Sequence, residues 1–165
     1  MGIKKELQDL CDRYKAEAEA MLNKAKAEKK AWKPENGESC YNILNGGLIS
    51  HEIWFDSVDL FDNFYAIGNC FPTKEAAEFA VEKLKVIAEL KRFAEEHNEP
   101  IDWEDEGTGR YFIEYNLRCD MITVDGIYND FLDRNICFSS EEIAKAAIEA
   151  IGEERLKKYY FEVDD

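Results

Sequence analysis

The chain has 165 residues, 45% of them hydrophobic, and contains 10 Phe, 8 Tyr and 3 Trp; it can bury one core of ordinary domain size, which excludes wholesale disorder. No stretch approaches the roughly 18 consecutive apolar residues of a membrane helix, and Met1-Gly2-Ile3-Lys4-Lys5-Glu6 lacks the apolar run of a secretory signal, so a cytoplasmic chain with no membrane partner is expected. A formal charge of −15 disfavours direct nucleic-acid binding and favours a partner with a basic surface, although solubility alone also accounts for such a charge.

The charge is uneven. Residues 1–33 hold nine Lys/Arg and six Asp/Glu, whereas residues 34–165 hold twelve and thirty. The five cysteines, Cys11, Cys40, Cys70, Cys119 and Cys137, are scattered and odd in number, which suits reduced, buried thiols better than a disulfide framework or a zinc site.

Residues 1–33 read as a separate helix, because Ala, Glu, Lys and Leu dominate and neither Gly nor Pro occurs between Ile3 and Lys33. Leu7, Cys11, Tyr14, Ala18, Met21 and Ala25 fall on an a/d heptad seam. That seam suits either a short coiled coil making a homodimer or packing of the helix on its own domain. Pro34 and Asn36-Gly37 then mark a boundary.

An acidic α+β domain is expected over 34–165. Residues 40–44 and 48–55 read as strands joined at Asn45-Gly46-Gly47, residues 56–63 as an acidic loop, and 64–71 as a third extended piece. Thr73 is the expected N-cap of a helix to about His97, with Phe79, Leu84, Ile87, Ala88, Leu90 and Phe93 as its apolar stripe. Residues 110–118 and 120–124 alternate as strands, with Asp125-Gly126 as a turn and 136–138 as a short strand. Ser139-Ser140-Glu141-Glu142 caps a helix to about residue 151, where Gly152 would end it, and 153–160 is a further helical stretch.

Cys70-Phe71-Pro72-Thr73-Lys74-Glu75-Ala76-Ala77 aligns with Cys137-Phe138-Ser139-Ser140-Glu141-Glu142-Ile143-Ala144. This predicts a diverged strand-strand-helix duplication, with half-repeats about 38–97 and 101–160, and an antiparallel sheet with helices on one face.

Trp32-Lys33-Pro34-Glu35-Asn36-Gly37-Glu38, followed by Tyr41, Ile43, Gly47 and Trp54, and the run from Gly68-Asn69-Cys70-Phe71-Pro72-Thr73-Lys74-Glu75 through Ala80 and on to Leu90, resemble a segment of uncharacterised phage and prophage proteins of Gram-positive bacteria. The resemblance covers about residues 32–96 and departs from the pattern at Cys40 and Asn42, where aromatics are usual. It implies a mobile-element origin, a bacterial host cytoplasm and no known catalytic residues. By analogy with small acidic phage proteins, it also implies antagonism of a host defence nuclease (anti-CRISPR or anti-restriction), including mimicry of DNA.

No catalytic, metal or cofactor site is expected. His51-Glu52 has no second histidine four residues on, and Gly107-Thr108-Gly109 lacks the rest of a phosphate loop. Asp125 to Asp130 has calcium-loop ingredients at the wrong spacing. The acidic clusters Asp56, Asp59, Asp62, then Asp102, Glu104, Asp105, Glu106, then Asp130 and Asp133, are the candidate partner-binding surface. Trp54, Phe55, Phe61, Phe64, Trp103, Tyr128 and Phe131 lie near them as either contact aromatics or core. Leu7, Cys11, Tyr14, Ala18 and Met21 are the candidate oligomerisation residues of an alternative, structural protein.

Overall fold

The computed structural model describes residues 14–15, 32–102, 109–127 and 136–163. Tyr14 and Lys15 are helical, and Tyr14 is 60% exposed. The remainder of the predicted first helix, including Leu7, Cys11, Ala18 and Met21, lies outside the described residues.

The fold is α+β, with two small antiparallel sheets. Strand β1 (Ser39–Ile43) pairs with β2 (Ile49–Ile53), from Ser39 opposite Ile53 to Ile43 opposite Ile49. Cys40 and Asn42 alternate inward as period two requires. The connection is the expected Asn45–Gly47, a single 3-10 turn in which Gly46 and Gly47 take φ of 76° and 81°, a region open to glycine.

Beyond β2 the expected acidic loop is corrected. Residues Asp59–Ala66 form helix α1. Phe61, Phe64 and Tyr65 recur at helical spacing and all pack in the cluster around Trp54, while Asp59 and Asp62 sit in the first turn, where negative charge suits the helix dipole. Gly68 (φ 73°) ends it: the Ile67, Gly68 and Asn69 N–H groups donate to Asn63, Tyr65 and Phe64 carbonyls. The expected extended piece at 64–71 shrinks to one bridge, in which Tyr41 and Phe71 exchange two hydrogen bonds of 2.9 Å. The Asn69 amide supplies the next rung: its Oδ1 accepts from Ile43 N–H at 2.7 Å and its Nδ2 donates to Ile43 O at 2.9 Å.

Helix α2 (Lys74–His97) starts where expected, with the Thr73 hydroxyl accepting from Ala76 N–H. Its buried face differs from the expected stripe: Ala77, Val81, Val86, Leu90 and Ala94 are buried, and Leu84 is 59% exposed. The helix has two partners along its length. It packs on β1 and β2, where a Cβ added to Gly47 would sit 3.2 Å from Val81 Cγ1. Val86, Leu90 and Ala94 enter the larger hydrophobic cluster with Phe138, Ile148 and Leu156.

Strand β3 (Arg110–Asn116) pairs with β4 (Met121–Ile127). The expected turn at Asp125-Gly126 is corrected, since both residues lie within β4 opposite Phe112 and Tyr111. The turn falls at 117–120 instead: Asn116 Oδ1 accepts from Arg118 N–H at 3.0 Å, Asp120 N–H donates to Asn116 O at 2.9 Å, and Asp120 adopts φ 55°. Asn and Asp tolerate these geometries through local side-chain bonding and left-handed backbone. Phe138 bridges Tyr111, replacing the expected strand at 136–138. Helix α3 (Glu141–Ile151), capped by Ser140, packs on β3 and β4 and ends at Gly152 (φ 94°). A short helix α4 (Glu153–Arg155) widens into a π-helical turn, Leu156–Tyr160.

The order hairpin, bridging phenylalanine, hydroxyl-capped helix therefore occurs twice, through Tyr41, Phe71 and Thr73 and through Tyr111, Phe138 and Ser140. The units are tied by Asn98, whose amide donates to Cys137 O at 2.8 Å and accepts from Ser139 N–H at 3.0 Å. Arg155 adds a bidentate pair to Glu89 at 2.8 and 3.2 Å. Among the described residues, no helix is long and apolar enough to cross a membrane.

Thr73→Ala and Ser140→Ala should each lower unfolding free energy by about 1 kcal/mol in urea titrations, since each removes a side-chain cap. The Glu75 and Glu142 carboxyls are held below their ordinary 4.5, first by their own backbone N–H groups, and Glu89 by its hydrogen bonds to Arg155. Depressed carboxylates stabilise the fold above their unfolded pKa. Stability should thus hold above about pH 5 and decline as pH falls below 4.5, and in Arg155→Gln the Glu89 share of that decline should be absent from the pH-dependent melting curve.

Candidate partner-binding surface

At the end of β2 the chain turns Trp54 fully inward against Phe61 and Tyr65. Ring centroids lie 5.4 Å from Phe61 and 6.4 Å from Tyr65, within the range of favourable aromatic contact. This anchor leaves the flanking apolar residues outside: Ile53, Phe55, Val58 and Leu60 are all exposed, Leu60 by 56%. Asp56, Asp59 and Asp62 are interleaved with them. Exposed apolar side chains thus stand among carboxylates along residues 53–62.

The three aspartates differ in what they touch. Asp56 Oδ1 accepts from the Trp54 indole N–H at 2.8 Å, and its backbone N–H donates to Asn36 Oδ1 at 3.2 Å. Asp62 pairs with Lys33 Nζ at 3.2 Å. That ammonium also sits 5.2 Å from the ring centroids of both Trp54 and Tyr65. Half-exposed ion pairs contribute about 0–1 kcal/mol, and a cation–π contact at an exposed site about 0.5–1 kcal/mol; Lys33 is therefore held weakly although its surroundings are well defined. Asp59 stands exposed in the first turn of α1. Asp102 is also exposed, while Glu104, Asp105, Glu106, Asp130 and Asp133, with Trp103, Tyr128 and Phe131, lie outside the described residues. Of the remaining aromatics, Phe61 is core and Phe64 half-buried against the same cluster. The cation seat formed around Lys33 was not legible in the sequence; its constituents are separated by the whole first hairpin, and only the Trp32-Lys33-Pro34 run marks its start.

A second concavity, about 590 Å³, lies between the β3–β4 turn and the C-terminal helical segment. Tyr115 hydroxyl donates to Asp120, which also pairs with Lys157 at 3.0 Å. The bond to Asp120 raises the Tyr115 phenol pKa, and the same bond lowers that of Asp120. The arrangement latches the left-handed turn at Asp120 to the C-terminal segment. An apolar groove of about 400 Å³ runs between Ile43, Ile67, Phe71, Leu84 and Ile87.

Both histidines lie against aromatic rings. His97 stacks on Phe93 at 4.0 Å and bonds the Phe93 carbonyl at 2.9 Å; His51 leans on Tyr41 at 4.8 Å. Burial raises the Cys40 and Cys137 thiols, and burial followed by the neighbouring Cys40 pushes Cys70 up to about 12. Such thiols stay protonated and poorly nucleophilic at neutral pH. Among the described residues, no group of three or more His, Cys, Asp or Glu is placed to hold a metal ion.

In comparisons with known proteins, the chain matches no family model, no curated protein and no solved structure.

Asp56→Ala should destabilise the fold by about 1–3 kcal/mol, because it strands the buried indole donor of Trp54. Asp59→Ala should cost less, about 0.3–1 kcal/mol, since it removes only an exposed charge at the helix N-terminus. Chemical denaturation of the two variants side by side checks the contrast.

Proposed function

We propose that this chain is a non-catalytic accessory protein of phage or prophage origin that binds a host protein with a basic surface and inhibits it. A defence nuclease is the favoured target (anti-CRISPR or anti-restriction), with the carboxylates standing in for DNA phosphates. The observation that carries the reading is the exposed apolar run Ile53, Phe55, Val58 and Leu60 interleaved with Asp56, Asp59 and Asp62. Apolar side chains at the centre of such a patch supply affinity, while surrounding carboxylates supply encounter rate and choice of partner. The charge of −15 and the resemblance of residues 32–96 to phage proteins support the same reading. The two hairpin–helix units are read as one diverged duplication preceded by a helix over residues 3–30.

A second reading is a structural protein that assembles through Leu7, Cys11, Tyr14, Ala18 and Met21; Tyr14, one position of that seam, is helical and 60% exposed.

The test is capture from bacterial host lysate on the tagged full chain, followed by assay of any captured nuclease. The protein should retain a nuclease at low salt and inhibit its cleavage of DNA. Asp59→Lys should weaken retention and flatten its salt dependence, since screening acts within about 8 Å at physiological ionic strength. Phe55→Ala combined with Leu60→Ala should reduce retention about tenfold or more. If these variants bind and inhibit as the parent does, while Leu7→Asp monomerises the protein and abolishes its effect, the assembly reading replaces this one.

A further inference from the structure

The surroundings of Lys33 have the composition of a cation receptor. The ammonium faces two aromatic rings, Trp54 and Tyr65, at 5.2 Å each, and one carboxylate, Asp62, at 3.2 Å. The rings present their negative faces and the carboxylate supplies full charge, which together recognise an ammonium or guanidinium group. The walls are rigid. Trp54 is fully buried and its indole N–H is fixed on Asp56, while Tyr65 belongs to α1 in the same cluster.

The occupant is less firmly placed than the walls. The Lys33 side chain is 42% exposed and Asp62 57%, so solvent reaches the ion pair from outside. The backbone on either side is held, by Trp32 packed against the cluster and by buried Pro34. Lys33 can therefore swing its side chain out without disturbing the chain around it. Asp62 lies on the helix that begins at Asp59, one residue after the exposed Val58.

We propose that Trp54, Tyr65 and Asp62 form a recognition seat for a single lysine or arginine side chain of the basic partner, and that Lys33 is its resident, displaceable occupant. The inference rests on the basic-partner reading above. Lys33 keeps the seat formed in the free protein and raises the threshold for weakly basic surfaces, because an incoming cation has to replace one already bound. A partner that supplies both a cation for the seat and an apolar contact for Phe55 and Leu60 gains enough to displace it.

The test uses full-length, isotope-labelled protein titrated with tetramethylammonium chloride, with sodium chloride at matched ionic strength as the control. The readout is the Trp54 indole N–H resonance, which also reports the fold through its bond to Asp56. Lys33→Ala should bind tetramethylammonium saturably, at a concentration at least tenfold lower than the parent chain needs, and adding Asp62→Asn should remove that advantage. The parent chain at high tetramethylammonium should approach the same end point, which tests displacement even where Lys33→Ala loses its fold. A sodium-matched, non-saturating response in the parent, or equal affinity with and without Lys33, would overturn the proposal. Cation binding in the seat alongside lysate capture indifferent to Asp59→Lys would sink the acidic-surface reading and leave the seat standing; capture sensitive to Asp59→Lys with no cation binding would do the reverse.

Discussion

The fold depends on the burial of one long helix, by the first hairpin along its first half and by α3 and the π-helical turn along its second. Helix α2 offers Ala77 and Val81 along its first half and Val86, Leu90 and Ala94 along its second, and the two sets have different partners. An isolated helix of this polarity would be marginal in water, so burial on both sides is what keeps it formed. The second set anchors the larger cluster, in which α3 and the π-helical turn also take part. Asn98, directly after the helix, then hydrogen-bonds the chain entering α3, so the end of one unit sets the start of the next.

The smaller cluster has a different character. Its buried members are Cys40, Trp54 and Phe61, with Trp32, Phe64, Tyr65 and Cys70 packed around them. One buried tryptophan organises this end of the protein: its ring receives α1 and its indole fixes Asp56. With so little apolar volume available beneath, β2 and the start of α1 cannot turn all of their hydrophobic residues inward, and Ile53, Phe55, Val58 and Leu60 remain outside. The proposed partner surface is thus a consequence of the small core beside the first hairpin.

The acidic composition acquires detail from this arrangement. Carboxylates that look alike in the sequence divide into one that holds a core indole, one that balances a cation over two rings, and one exposed in the first turn of α1. Charge reversal at all three would mix structural damage with loss of binding, whereas Asp59 separates them.

Helix α2 and its Thr73 cap, helix α3 with Ser140 and Gly152, the first hairpin and its Asn45–Gly47 turn were legible because each depends on neighbours within a few residues: hydroxyl caps, glycine at positive φ, alternating apolar positions. The recurring Cys-Phe followed by a hydroxyl cap was legible for the same reason. Helix α1, the turn at 117–120 and the inward face of α2 were not, because competing local signals were decided by remote partners. Asp59–Ala66 is helical since Trp54 packs against Phe61 and Tyr65 on one face of it, Asp125-Gly126 stays extended since Phe112 and Tyr111 pair with it, and Leu84 is exposed since the first hairpin, α3 and the π-helical turn bury other faces. The sequence by itself determined composition, charge and most capped elements, which are set by short-range sterics and hydrogen bonding. Only the tertiary structure decided which carboxylates face solvent and that Lys33, Trp54, Asp62 and Tyr65 converge, because that convergence exists only once the first hairpin has closed and buried its tryptophan.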